Sequence, residues 1–256
     1  MNRNNLHAAA AFLLTILLAA NMPAAAADSS DAAVAHAGRP AADLKRDAKD
    51  HPAEILRLTG INAGMNVADV LAGDGYYSEL LSYVVGPKGQ VLLINNAAFD
   101  HWSEPDLQNR LKDNRLPNVS HQTVDLADMK LPPGSLDAVL LVKVYHDLYW
   151  VNTNPKNPWP KVDAGAVLDQ LSRALKPRGI LLLVDHSAKA GHGSSDASEL
   201  HRIEETYAIK DFKAHGFDVV GKSELLRMPG DARDQVSYKG PMLGKTDRFV
   251  LVFRKT

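Results

Sequence analysis

The chain has 256 residues, 45% of them hydrophobic, which is enough for one well-packed α/β core. Its 29 Lys and Arg residues nearly balance its 30 Asp and Glu residues, so the overall charge gives no support to nucleic-acid or membrane-surface binding. The absence of cysteine excludes disulfides, thiolate metal ligands and a cysteine nucleophile.

The N-terminus has the pattern of a secretory signal peptide. Arg3 gives a positive start, residues 8–20 form an apolar segment, and residues 25–27 are alanines that suit a cleavage site. The apolar segment is shorter than the roughly 20 residues of a bilayer span. We expect residues 1–27 to be removed and the mature protein to be periplasmic or secreted, without stable membrane association; an uncleaved anchor is the alternative. Residues 28–40 predict a flexible segment before a single domain over residues 41–256.

Residues 66–95, NVADVLAGDGYYSELLSYVVGPKGQVLLIN, predict a strand, a glycine turn, a helix and a second strand. Gly73 and Gly75 allow a tight turn and a close approach of the backbone to a ligand. Such a turn presents free backbone N–H groups at a helix N-terminus, where polar or anionic groups bind. The alternative is that the glycines only permit tight packing.

The rest of the chain alternates predicted strands and helices. A third strand ends at Asp125, and further strands cover residues 136–142, 180–185, 217–226 and 247–253. Helices are expected over residues 41–60, 104–116 and 197–215, with a loop around Asp100 to Trp102. The last two strands lack an intervening helix and should form a hairpin. The predicted fold is therefore α/β: a Rossmann-like, doubly wound seven-stranded sheet, mostly parallel with an antiparallel final strand.

Candidate catalytic residues follow the fourth and fifth predicted strands. In open α/β sheets ligands bind beyond the carboxyl ends of the strands, where Tyr145, His146, Asp147 and His186 should lie. We predict His146 as a general base, Asp147 as its orienting or substrate-holding partner, and Tyr145 as a cofactor or substrate contact. The alternative is a structural helix start capped by Asp147.

A second polar cluster contains His201 and Glu204, three positions apart on a predicted helix. Residues at this spacing share a helix face and suit a divalent metal, although caps and loop histidines need no ion. We predict no metal ligands, and a metal-dependent periplasmic enzyme is kept only as an alternative.

Three stretches resemble motifs of class I S-adenosylmethionine-dependent methyltransferases. Asp69 precedes the glycine turn as the acid of motif I does, whereas a dinucleotide fingerprint would need a third glycine at Ser78. LPPGSLDAVLLV and LDQLSRALKPRGILLLVD are similar to the segments that lead into strands four and five. The pieces RDAKDHPAEIL, HDLYW and GKTDRFVLVFRK are similar to a group of exported bacterial predicted methyltransferases.

This resemblance implies S-adenosylmethionine as the cofactor. It places Asp69, Gly73 and Gly75 at the methionine end and Asp125 at the adenine amino group. Asn95 stands where the family usually has the acid that binds the ribose. The implied function is methyl transfer to an unidentified small molecule; a non-catalytic ligand-binding protein on the same scaffold is an alternative. The sequence defines no oligomeric state.

Overall fold

The computed structural model describes residues 28–152, 159 and 161–256, so the predicted signal peptide lies outside the described residues. These residues contain one seven-stranded sheet with strand order β3-β2-β1-β4-β5-β7-β6. The strands are β1 (Asn66–Val70), β2 (Gln90–Asn95), β3 (Val119–Thr123), β4 (Leu136–Val142), β5 (Leu175–His186), β6 (Phe217–Ser223) and β7 (Arg248–Lys255). Strands β1 to β5 are parallel, and β7 is antiparallel to both neighbours. The predicted fold class is confirmed.

The α-helices connect the strands and cover both faces of the sheet. They are α1 (Ser29–Val34), α2 (Ala41–Asp50), α3 (Pro52–Arg57), α4 (Tyr76–Val85), α5 (Ala97–Ser103), α6 (Asp106–Leu111), α7 (Ala164–Ala174), α8 (Ala197–Leu200) and α9 (Glu205–Ala214). A 3-10 turn, His146–Leu148, follows β4. No helix within the described ranges is long and apolar enough to cross a membrane.

Two apolar clusters, one on each face, hold the sheet between the helices. Val67 and Leu140 belong to the cluster that includes Leu80 of α4. The neighbouring residues Ala68 and Val139 belong to the cluster that contains α7 and α9. Successive strand residues point to opposite faces, so continuous apolar runs are needed where helices cover both sides. This explains why the central strands could be predicted from short apolar runs.

Three segments differ from the sequence predictions. Helix α1 lies in the segment predicted to be flexible, and its Ala33 is buried beside α4. Helix α5 replaces the loop expected around Asp100, because the Asn96 side chain accepts a hydrogen bond from the Phe99 N–H and caps it. The helix expected over residues 197–215 is interrupted: α8 ends at Leu200, the next residue, His201, has a left-handed backbone, and α9 begins after Glu204.

Candidate active site

A cavity of about 820 Å³ opens beyond the carboxyl ends of β4 and β5, where the sequence analysis placed a ligand site. Helix α2 and the segment before β7 contribute to its wall. Five of its lining residues are basic and two are acidic. They are Lys45, Arg46, Lys49, Lys143, Arg248, Asp50 and Asp147. The cavity is therefore suited to a ligand that carries negative charge.

Asp50, the last residue of α2, organises this basic wall. Its carboxylate accepts hydrogen bonds from Arg46 Nε at 2.7 Å, Lys143 Nζ at 3.0 Å and an Arg248 guanidinium nitrogen at 2.5 Å. Burial alone would raise the pKa of Asp50, but the charges of Lys143, Arg46 and Arg248 outweigh it and hold the pKa well below its usual range. Three elements, α2, the end of β4 and the start of β7, thus meet on one carboxylate.

At Lys143, the effect of burial on the pKa outweighs that of the paired charge. Burial and the neighbouring Arg46 charge lower the pKa of Lys143 to about 8, against the favourable charge of Asp50. Its backbone has a φ of 63°, the left-handed region that non-glycine residues seldom adopt. This strained position directly after β4 aims the side chain at Asp50.

Aromatic rings form the other wall. Phe99 and Trp102 of α5 line the cavity together with Trp150 and Tyr238. Trp102 also stacks on Trp159, with 5.9 Å between ring centroids and 16° between planes. Flat rings beside cations are surfaces on which a planar, anionic or purine-containing ligand can stack.

His146 and Asp147 line the cavity as predicted, on the 3-10 turn that follows β4. His146 Nδ1 lies 2.7 Å from Asp185 Oδ1, and Asp185 Oδ2 accepts the His146 backbone N–H at 2.9 Å. Burial would lower the pKa of His146, but Asp147 and Asp185 together raise it to about 9. A protonated imidazole donates hydrogen bonds, which does not suit the predicted role of general base.

His186 differs from His146 in charge. It lines the same cavity, and its Nδ1 lies 2.7 Å from Thr246 Oγ1. Burial and the positive charges of His146, Lys143 and Arg248 lower the pKa of His186 well below its ordinary value. His186 therefore offers a neutral imidazole to a bound molecule.

Tyr145 does not reach the cavity. It is fully buried behind the sheet, where its hydroxyl donates to Asp211 Oδ2 at 2.5 Å and its ring packs against Phe212 of α9. The prediction that it contacts cofactor or substrate is corrected: Tyr145 joins the end of β4 to α9.

Asp69 also faces protein. It is 3% exposed, and its Oδ2 accepts a hydrogen bond from Ser78 Oγ at 2.7 Å. Burial is the main cause that raises the pKa of Asp69 to about 7, against the lowering effect of that bond. Asp69 therefore joins β1 to α4 and does not line the large cavity.

The backbone of the glycine turn forms hydrogen bonds with the side chain of Asn95. Asn95 Oδ1 accepts the Gly73 N–H at 3.0 Å, and Asn95 Nδ2 donates to the Gly73 carbonyl at 2.9 Å and to Asp100 at 2.8 Å. These bonds use the amide that was expected to face a ribose. At Gly75, a Cβ would lie 2.9 Å from Leu93 Cδ1 and 3.1 Å from Arg110 Cδ, so this glycine permits close packing.

Asp125 follows β3 and is exposed. Its Oδ1 accepts the Ala127 N–H at 2.9 Å, and the residue lines a separate cavity of about 360 Å³ that also touches Asn96 and Trp159. The five predicted cofactor-binding residues, Asp69, Gly73, Gly75, Asn95 and Asp125, therefore do not share one cavity. Helix α5 contributes residues to the walls of both cavities.

Several cavity residues were not predicted as site residues. They include Arg46, Asp50, Lys143, Arg248 and Trp102, none of which the sequence marks as part of a site. Arg248 reaches Asp50 across 198 positions of the chain, so no local spacing could relate them. The only local signal was the four-residue spacing of Arg46 and Asp50 on one helix.

The alternative in which His201 and Glu204 share a metal ion is not supported by their positions. Glu204 turns away and accepts the N–H groups of Gly191 at 3.0 Å and Gly193 at 2.8 Å, which caps a separate turn. His201 lines the large cavity beside His146 instead.

A sheet in this strand order, with a reversed β7 and a ligand-sized cavity beyond its carboxyl edge, gives the chain the fold of class I S-adenosylmethionine-dependent methyltransferases. A methyltransferase structure from Aquifex aeolicus matches with a TM-score of 0.58 at 20% identity, over 83% of this chain and 93% of that one. The [4+2]-cyclase SpnF matches with a TM-score of 0.54 at 16% identity, over 86% of this chain and 84% of that one.

One curated relative supports the same class at the level of sequence. The ubiquinone/menaquinone biosynthesis C-methyltransferase UbiE of Pseudomonas fluorescens (strain Pf0-1) is 30% identical over 135 residues. The match covers 52% of this chain and 46% of that protein, so the chain spans less than half of the relative's length. No protein-family model matches the chain.

Proposed function

We propose that the chain is an S-adenosylmethionine-dependent methyltransferase that acts on a small molecule. The observation that carries the proposal is the cavity of about 820 Å³ at the carboxyl edge of a class I methyltransferase sheet. Its volume lies within the range of about 300–1,000 Å³ that is typical of small-molecule sites.

The cavity wall suits the cofactor better than the predicted residues do. Phe99 and Trp102 offer faces for an adenine ring, and Lys45, Arg46 and Lys49 of α2 offer partners for a methionine carboxylate. Arg46 also lies 3.8 Å above the ring of Tyr76, the first residue of α4, and so connects the cavity to the glycine turn. The bound cofactor would supply an electrophilic methyl group on a sulfonium.

The chain's own residues would bind and align the methyl acceptor. Methyl transfer requires the nucleophile, the methyl carbon and the sulfur to lie in line, so positioning is a major part of catalysis. The excess of basic side chains favours an acceptor with negative charge, and the aromatic wall favours one with a flat ring. The relative from Pseudomonas is named for ubiquinone and menaquinone biosynthesis; we carry over its reaction class alone.

Calorimetry tests the proposal. We expect the full chain to bind S-adenosylmethionine and its demethylated product with micromolar affinity. Gly73→Val should weaken binding at least about tenfold, which is about 1.4 kcal/mol, because a β-branched residue does not fit a φ of 61° and distorts the turn next to α5. Gly60→Val is the matched control, since Gly60 has a φ of 67° and no atom within 4 Å of an added Cβ.

The alternatives make different predictions in the same experiment. The hydrogen bonds between Asn95 and Gly73 favour a scaffold that does not bind this cofactor, and the cyclase with a similar fold shows that such a fold serves other reactions. If millimolar S-adenosylmethionine produces no heat of binding, the methyltransferase proposal is rejected in favour of a non-catalytic scaffold or another reaction. Equal weakening by Gly73→Val and Gly60→Val would reject the proposed position of the cofactor.

We also propose that the chain is exported, on the signal-peptide pattern of residues 1–27. When the full gene product is expressed in a Gram-negative bacterium, we expect the periplasmic fraction to contain a form that begins at Asp28. N-terminal sequencing measures this directly. Recovery of an uncut chain from the cytoplasm would contradict export.

A further inference from the structure

We propose that His146, Asp147 and His201 bind one divalent transition-metal ion, such as Zn²⁺, in the wall of the large cavity. The three residues come from two elements: His146 and Asp147 lie on the turn after β4, and His201 follows α8. One nitrogen of each histidine and one oxygen of Asp147 lie within 4.8 Å of one another. This site goes beyond methyl transfer and differs from the pairing of His201 with Glu204 that the sequence suggested.

The spacing of the three atoms matches tetrahedral coordination. His146 Nε2 lies 3.2 Å from His201 Nδ1, and Asp147 Oδ1 lies 3.4 Å from each of these nitrogens. Ligand atoms about 2.1 Å from a tetrahedral ion are roughly 3.4 Å apart, so one ion can reach all three without backbone movement. By contrast, 3.4 Å is long for a nitrogen–oxygen hydrogen bond. The carboxylate and the two imidazoles therefore converge at a ligand-to-ligand distance.

A second carboxylate orients the first ligand. Asp185 is fully buried and lies 2.7 Å from His146 Nδ1, on the side of the ring opposite His201. A carboxylate on one imidazole nitrogen keeps the proton there and directs the other nitrogen toward a metal, as outer partners of metal-binding histidines do. Binding of the ion would displace any proton on His146 Nε2.

The second histidine is also held in place. The His201 ring lies between Trp150 and Tyr238, at centroid distances of 4.9 Å and 4.6 Å. His186 lines the same cavity but lies outside this group of three: its Nδ1 bonds to Thr246, and its ring centroid is 6.0 Å from that of His146. The ligand set is thus two imidazoles and one carboxylate, which suits zinc and similar ions.

All three ligands line the cavity, so an ion held by them would face it. Three protein ligands leave a fourth tetrahedral position for water or for an oxygen of a bound molecule. An ion in this position would polarise that oxygen and fix its distance from the cavity wall.

The test measures metal binding directly and does not depend on methylation. The full chain is stripped with chelator and titrated with Co²⁺ and with Zn²⁺. We expect one ion per chain and the intense visible absorption of tetrahedral Co²⁺. Asp185→Asn should lower the affinity about 10–100-fold, the effect that loss of an outer partner usually has. His201→Asn, which removes a ligand but tolerates the left-handed backbone, should lower it further.

His192→Asn is the matched control, because His192 is an exposed histidine that bonds to Asp196 and does not line the cavity. It should leave the Co²⁺ affinity unchanged. Circular dichroism establishes that each variant is folded, and Asp147→Asn replaces any variant that is not. The proposal is overturned if the wild-type chain takes up neither ion at millimolar concentration, or if folded His201→Asn and Asp147→Asn bind Co²⁺ as the wild type does.

Discussion

Asp50→Asn is expected to lower the free energy of unfolding by about 3–5 kcal/mol, the usual cost of removing one partner from a buried ion cluster. The Asp50 carboxylate forms ion pairs with Arg46, Lys143 and Arg248, and its side chain is 9% exposed. An amide would leave three neighbouring cations without their common counterion. Helix α2 would then lose the ion pairs that join it to Lys143 and Arg248, so binding in the large cavity should also be weakened.

Urea unfolding at neutral pH and low salt measures this effect. Asp234→Asn is the control, because it removes one carboxylate from an exposed loop position. It should change the free energy of unfolding by less than about 0.5 kcal/mol. A loss below about 1 kcal/mol for Asp50→Asn would contradict a stabilising role of the Asp50 ion pairs and indicate that solvent screens the three cations.

Asp69→Asn is expected to stabilise the protein at neutral pH, but not under acid conditions. The folded chain holds the Asp69 proton up to a pKa of about 7, whereas the ordinary value is 3.8. The folded state therefore binds more protons between these values, and the contribution of Asp69 to stability is lost as the pH rises through this window. An amide does not titrate. The advantage of the variant should therefore grow from about pH 4 to pH 7, by up to roughly 4 kcal/mol.

The measurement is the free energy of unfolding of both proteins at several pH values in this window. Asp218→Asn, which removes an exposed carboxylate of β6, is the control, and it should change the free energy of unfolding by less than about 0.5 kcal/mol. A constant difference for Asp69→Asn would show that Asp69 is ionised in the folded protein throughout.

The sheet could be predicted because each strand carries its signal locally. Residues 136–142 form an apolar run and become β4 with the same bounds, and the reversed β7 followed from the missing helix before it. The ends of the helices were harder to predict from the sequence. The cap at Asn96 and the left-handed backbone at His201 depend on single side-chain and backbone conformations that apolar periodicity does not record.

The large cavity lies at the edge of the sheet where the sequence predicts a site, but only some of the predicted residues line it. His146 and Asp147 line the cavity because they follow a central strand. The sequence could not show that the Asn95 amide bonds to Gly73, since an amide after β2 can face either the backbone or a ligand. It also could not show that Asp50 and Arg248 meet, because this contact exists only in the complete fold.

That contact also determines when the cavity can be completed. A polypeptide is made from its N-terminus, so Asp50 leaves the ribosome long before Arg248, which lies 198 positions later. Until the final strand, β7, has been synthesised and inserted between β5 and β6, the large cavity lacks one of its walls. Nascent or C-terminally shortened chains therefore lack part of the cavity wall, and we expect binding in this cavity to arise only at the end of biosynthesis.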